Sequence, residues 1–196
     1  MKGRPPALDN SCYAQFTPRW LYSILSAMEL AVYLVFLVFL VAFVGTFGRA
    51  FFRGAPYAPS DPRAIATMLE LAKPAQQDVA CDIGSGDGRI MITLANYCER
   101  VDGYEINPFL VLWTRMRLRR RNLSDRVKIF RGSLWKADFT KYSVITLFGI
   151  PYIMKELEKK LLQELPKGAR VVSNRFTFPN WKHAVKKDRV YLYVKE

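Results

Sequence analysis

The residues best suited to chemistry lie between positions 82 and 105. Asp82 ends an apolar run, Gly84-Ser85-Gly86-Asp87-Gly88 follows, and Glu105 closes the next strand-like run 23 residues after Asp82. Glycines between a strand and a helix let the backbone approach a ligand with no Cβ in the way. An acid ending the following strand can accept hydrogen bonds from both hydroxyls of a ribose. The spacing therefore predicts a nucleoside-bearing ligand. A dinucleotide fold shares this plan, but its fingerprint is G-x-G-x-x-G, and here the third glycine comes one residue earlier. Asp82 would also face a pyrophosphate, setting like charge against like. Other chemistries lack material. His183 is the only histidine, and Cys12, Cys81 and Cys98 are too scattered for a disulfide framework or a zinc site. A reducing compartment fits these thiols best, Cys81 acting as a small buried hydrophobe.

Alternating strands and helices must position those residues. Asp61-Pro62 reads as an N-cap followed by proline at the first helical position, opening a helix that stops before Lys73-Pro74. A strand over 78–83 leads into the glycine turn and a helix from Arg89 to about Asn96. Further strands are expected at 100–105, 127–130, 142–147, 169–173 and 188–195, with helices at 108–121 and 152–165. Strand–helix alternation argues for a parallel sheet covered on both faces.

The N-terminal quarter is different. Leu30 to Phe47 reads LAVYLVFLVFLVAFVGTF without a charge, and at about 1.5 Å per residue it is close to the apolar thickness of a bilayer. A transmembrane helix over 20–48 is expected after a tail over 1–19, with a linker over 49–62 and one domain over 63–196. A buried core helix is rarely apolar around its whole circumference, and no clear small-x-small site for signal cleavage follows. Glu29 sits near the edge of the run, where it either reaches water or acts as an intramembrane carboxylate. The chain carries a net charge of +13, and from Arg49 onward 27 Lys and Arg stand against 15 Asp and Glu. The positive-inside tendency then predicts a single-pass protein with its C-terminal domain in the cytoplasm, or in the matrix if the membrane is mitochondrial. The run Arg115, Arg117, Arg119, Arg120, Arg121 reads first as the solvent face and last turn of a helix. Contact with anionic lipid or with RNA are the alternatives.

The turn DIGSGDGRI at 82–90 with GYEINPFLV at 103–111 resembles motif I and the following acid of class I methyltransferases, which use S-adenosylmethionine. Adding PYAPSDP at 56–62, GSLW at 132–135, FGIP at 148–151 and SNRFTFPNW at 173–181, the chain resembles a narrower family over nearly its whole length. That family comprises the mitochondrial lysine methyltransferases acting on the ATP synthase c-subunit and the adenine nucleotide translocase, with their prokaryotic relatives. The resemblance implies an α/β, Rossmann-like sheet, mostly parallel with an antiparallel last strand, preceded here by the transmembrane helix. It implies S-adenosyl-L-methionine held by Asp82, Gly84, Ser85, Gly86 and Gly88, with Glu105 on the ribose and Ile106 and Asn107 beside the adenine. Ser133 and Leu134 stand where many members carry an acid that binds the adenine amino group, so Ser133 departs from that pattern. Phe148-Gly149-Ile150-Pro151 likewise departs from the Asn-Pro-Pro-Tyr type of enzymes that methylate adenine or glutamine.

A lysine nucleophile must lose its proton before attack, at a cost of about 4.6 kcal/mol at pH 7 from a pKa near 10.4. A dry aromatic pocket beside a cationic cofactor lowers that cost. Tyr57, Trp135, Phe148, Tyr152, Phe176 and Trp181 are candidates for the lining. Tyr57 is the preferred catalytic residue on the substrate side, because its loop precedes the first helix of the domain. The expected partners are the lipid bilayer and a membrane-protein substrate, with nucleic acid less favoured. The rival functions are an RNA or small-molecule methyltransferase and a non-catalytic cofactor-binding membrane protein.

Overall fold

The computed structural model describes residues 19–53, 60–149 and 151–196. Two compact units divide at Gly48/Arg49. The first holds helix α1, Arg19–Arg53, up to Gly48. Within it Ser23–Gly45 has a mean hydropathy of 2.6, and its side chains are exposed on every side. The Ser23 hydroxyl donates to the Trp20 carbonyl at 2.8 Å and that of Ser26 to the Ser23 carbonyl at 3.0 Å. These hydroxyls are therefore satisfied within the helix. The helix runs through Arg49–Arg53, where the sequence predicts a linker. No glycine or proline interrupts these five residues until Gly54, so the backbone ladder continues.

The second unit is a seven-stranded sheet in the order β3-β2-β1-β4-β5-β7-β6. Its elements are α2 (Pro62–Ala72), β1 (Val79–Ile83), α3 (Arg89–Leu94), β2 (Arg100–Glu105), α4 (Pro108–Arg120), β3 (Val127–Arg131), β4 (Val144–Leu147), α5 (Pro151–Glu164), β5 (Arg170–Asn174), β6 (Val185–Lys187) and β7 (Val190–Val194). Strands β1 to β5 are parallel, and β7 runs antiparallel to β5 and to β6. This is the expected sheet plus one strand. β6 has no signal in the sequence because all three of its residues are exposed, so it carries no alternation of apolar and polar side chains.

Alternation along the other strands builds two cores. Ala80, Val101, Val144 and Val172 point to the face covered by α2, α3 and α4. Cys81, Ile145, Val171 and Tyr193 point to the face covered by α5, whose Leu157 and Leu161 are fully buried. After β1 the chain turns to β2 on one side, and after β3 it crosses to β4 on the other. That reversal opens a crevice at the carboxyl ends of β1 and β4, where open α/β sheets bind ligands.

Helix α2 begins as its sequence predicts. Asp61 accepts the Ala64 amide at 2.9 Å and Pro62 stands at the first position. Its far end is tied to the sheet by Arg170 of β5. That guanidinium donates to the Ala72 and Lys73 carbonyls, both at 2.8 Å, and to the Asp78 carboxylate at 2.6 Å. Burial pushes the Asp78 carboxyl up, but the Ala75 amide, the Ser143 hydroxyl and Arg170 together hold it below the usual range. Arg170→Ala should cost about 2–3 kcal/mol, because it strands two carbonyls and a largely buried carboxylate. A thermal melt in mild detergent checks this; an unchanged Tm would contradict the clasp.

Candidate active site

Strand register brings the two acids together. Asp82 lies opposite Gly103 of β2 on one side and Thr146 of β4 on the other. Glu105 is two residues beyond Gly103 and so projects to the same face as Asp82. Gly103 has no room for a side chain, since a Cβ there would run into the Met91 thioether and reach 3.0 Å from the Ser85 Cβ. That absence lets the turn and α3 settle against the sheet. Thr146 donates its hydroxyl to Asp82 at 2.8 Å.

The turn between β1 and α3 is held from three sides. The Gly84 and Ser85 amides both donate to the Tyr104 carbonyl, at 2.9 and 3.1 Å. The Gly86 amide donates to Glu105 Oε2 at 2.9 Å, and the Asn107 amide to Glu105 Oε1 at 2.8 Å. From α4, Thr114 donates to the Gly86 carbonyl at 3.0 Å. Gly84, Gly86 and Gly88 have φ of 74, 53 and 76°, conformations that cost a side-chain-bearing residue energy. At Gly88 a Cβ would also collide with the Thr114 methyl.

Asp87 turns away from the acids. It pairs with Arg89 at 3.0 Å and with Arg117 of α4 at 2.7 Å, while Arg117 also donates to the Asp87 carbonyl at 2.6 Å. Burial raises the Asp87 carboxyl, and the bonds and charge of Arg89, helped by Arg117, more than reverse this and leave it below the usual range. Arg117 therefore faces inward and leaves the solvent-face arginine run that the sequence suggests.

Asp82 is the opposite case. It is fully buried, and burial pushes its carboxyl up to about 7; the Thr146 hydroxyl lowers it, and the charges of Glu105 and Asp87 raise it further. Two acids thus converge where one is costly to ionise, an environment that favours a cationic ligand. The amides of Gly84, Ser85, Gly86, Gly88 and Arg89 all donate within the chain. A pyrophosphate needs such donors free, so the turn does not fit a dinucleotide. It does fit a ligand that joins a ribose to cationic groups. Each Glu105 oxygen accepts one bond here and has capacity for a second.

The remaining expected residues are spread around this crevice. Ser85 is buried and its hydroxyl has no partner, so it lies beneath the turn against Met91 and Gly103. Asn107 caps α4, accepting the Phe109 amide at 2.9 Å. Ser133 caps a short 3₁₀ turn, Leu134–Lys136, and is half-buried like Leu134. Tyr57 and Ile150 lie outside the described residues. Phe148 and Phe176 meet edge to face at 6.0 Å beyond the tips of β4 and β5, whereas Trp181 stacks on Phe178 at 5.5 Å in an aromatic cluster with Tyr193. Trp135 and Tyr152 are exposed. Thr114, Arg117 and Thr146 were not expected from sequence; only Thr146 had a readable signal, its register beside Asp82.

A cleft of about 930 Å³ opens one strand further along, and Asp82 and Glu105 are not among its lining residues. Ser60, Arg63, Phe148, Asn174, Arg175 and Asp188 are. Arg175 holds a left-handed conformation, φ 74°, fixed by its amide's bond to the Arg189 carbonyl. Its guanidinium lies 5.8 Å from the centre of the Phe148 ring. Ser60 joins the cleft to the glycine turn: its carbonyl accepts from Arg89 at 3.0 Å, and its hydroxyl accepts from Asn174 at 3.3 Å.

Sheet order, glycine turn and paired acids define a class I, S-adenosylmethionine-dependent methyltransferase. Residues 82–185 match the family model described as the ANTKMT methyltransferase domain, and the chain belongs to that family. It is 40% identical over 126 residues to an ATP synthase c-subunit lysine N-methyltransferase of Xenopus laevis, covering 64% of this chain and 55% of that one. A protein-lysine N-methyltransferase of Saccharolobus islandicus is 34% identical over 149 residues, 71% of this chain and 92% of its own. A crystal structure described as an RNA methyltransferase from Salinibacter ruber, with S-adenosyl-L-homocysteine, superposes with a TM-score of 0.67 at 34% identity, covering 70% and 93% of the two chains. The chain spans about half the length of the animal relative.

The Asp82 carboxyl yields a prediction with a definite sign. Its pKa in the folded chain lies above that of the unfolded chain, so the folded state binds the proton more tightly. Stability is then lost as pH rises from about 4 to about 7, by at most about 4 kcal/mol. Asp82→Asn keeps an acceptor for Thr146 and should raise the Tm at pH 8, with a smaller effect at pH 5. A lower Tm at pH 8 would contradict the buried, costly carboxylate.

Proposed function

We propose that this chain is a membrane-anchored, S-adenosylmethionine-dependent protein-lysine N-methyltransferase that modifies a membrane protein. The observation that carries the reading is the pair of buried acids beside a turn whose amides are already bonded. In this reading Asp82 faces the cationic methionine part of the cofactor, Gly84 gives it room, and Gly86 and Gly88 shape the turn beside it. Glu105 takes the ribose, and Asn107, Ser133 and Leu134 border the adenine. Ser85 contributes the shape of the turn and no side-chain contact, since its hydroxyl is buried beneath it. The cofactor supplies an electrophilic methyl group. The chain's part is to hold it in line with an incoming amine and to keep water out.

We place the substrate lysine in the cleft beside Phe148, Asn174 and Ser60. An aromatic wall there favours the neutral amine that attack requires. Tyr57 stands three residues before Ser60 in the chain, which supports its assignment to the substrate side. The anchor reading rests on Ser23–Gly45 and its all-round apolar surface. The lysine reading rests on the names of the relatives, which are a c-subunit lysine methyltransferase and an archaeal protein-lysine methyltransferase. Anchoring would raise the effective concentration of a bilayer-embedded target. The proposed boundaries are the tail 1–19, the span 20–48, the linker 49–62 and the domain 63–196, with the domain on the cytoplasmic or matrix side.

A methyl-transfer assay on membrane fractions with tritiated cofactor tests this directly. Label is expected in methyl-lysine of a membrane protein, with at least about a hundredfold loss in Asp82→Ala, because removing a partner of buried charge costs 3 kcal/mol or more. Label in RNA or in a small molecule would contradict the substrate class, and undiminished transfer by Asp82→Ala would contradict the site.

A further inference from the structure

Helix α4 has an outward face that a surface helix in water does not carry. At 3.6 residues per turn its inner line is Val111, Thr114 and Leu118, all buried against β2 and β3. The opposite line is Phe109, Leu112, Trp113 and Met116, with exposures of 60, 58, 52 and 36%. These positions follow the i, i+3, i+4, i+7 spacing of a single stripe. One turn on, Arg119 and Arg120 continue the same line, and Arg121 follows; all three are exposed. On the neighbouring edge strand β3, Arg131 is exposed as well, on the face that Val127 and Ile129 turn to α4. Contiguous exposed apolar side chains on a soluble domain mark a contact surface. Asp125 is the only acid between Pro108 and Arg131.

We infer that this face of α4 docks on an anionic phospholipid surface, aromatic and aliphatic side chains entering the head-group boundary and Arg119, Arg120 and Arg121 meeting lipid phosphates. Charge decides among occupants. A second copy of a chain with net charge +13 would bring like charge to the stripe, whereas an apolar stripe flanked by arginines matches the chemistry of an anionic interface. The inference rests on the membrane-anchor reading, which supplies the bilayer. It deepens that reading by giving the catalytic domain an orientation. Phe109 lies in the first turn of α4, two residues after Asn107 and four after Glu105, so docking would hold the mouth of the cofactor crevice at the lipid surface.

The test uses the full chain in single-copy nanodiscs, made of phosphatidylcholine alone or with phosphatidylglycerol. The chain carries Cys12→Ser and Met116→Cys, and the new thiol bears a spin label; Cys81 and Cys98 are buried and stay unlabelled. Glu156→Cys, at an exposed position of α5, serves as the control site. With phosphatidylglycerol, the label at 116 should collide more with lipid-soluble oxygen than with a water-soluble nickel chelate, and the control should show the reverse. Arg119→Glu with Arg120→Glu should weaken docking by at least roughly 30-fold, from about a factor of 5 per arginine near an anionic surface, and return position 116 to water. Nickel preference at 116 in anionic nanodiscs overturns the proposal while leaving the anchor intact, since the chain still co-elutes with the discs. Equal protection in neutral lipid, unmoved by the charge reversal, assigns the stripe to protein and overturns it too. So does protection that arises only when RNA is added. Failure to co-elute with either disc overturns both anchor and docking.

Discussion

The constraint on which the domain turns is the burial of two carboxylates on one face of a parallel sheet. Burial first, and then the charges of Glu105 and Asp87, push the Asp82 carboxyl up to about 7 against the pull of the Thr146 hydroxyl. Much of the surrounding structure makes that placement tolerable. Thr146 donates to one acid, the Gly86 and Asn107 amides donate to the other, and Gly103 lets Met91 and Ser85 pack against the sheet. A site strained in this way is poised for a ligand whose positive charge relieves it.

The glycine turn shows why similar-looking motifs part company. In a dinucleotide fold the turn's amides point at phosphate. Here Tyr104, Glu105, Ser85 and Asp87 consume them, and α4 clamps the far side through Thr114 and Arg117. What the turn offers a ligand is room and negative charge. Electrostatics of that kind select a sulfonium-bearing cofactor over a pyrophosphate, and family membership agrees with the selection.

Much of this was legible in the chain. Asp61-Pro62 capped its helix as written, and the strand–glycine–helix–acid spacing located the crevice, because both features are local and carry their own chemistry. The rest depended on contacts between distant segments. Asp87 and Arg117 are 30 residues apart and become partners only when α4 packs beside α3. Ser85 packs its side chain beneath the turn near Gly103, a contact that its position in the chain does not announce. The three exposed residues of β6 carried no pattern to read. The arginine run hid the apolar stripe of α4, since two opposite apolar faces on one helix cancel in any periodic reading and only the fold tells which is covered.

Calorimetry of cofactor binding at pH 6, repeated in buffers of different ionisation enthalpy, bears most directly on the paired-acid account. Because a cation needs Asp82 ionised, binding should release close to one proton at pH 6, and Asp82→Asn should release none. Binding without proton release, or release that survives the substitution, would contradict the account.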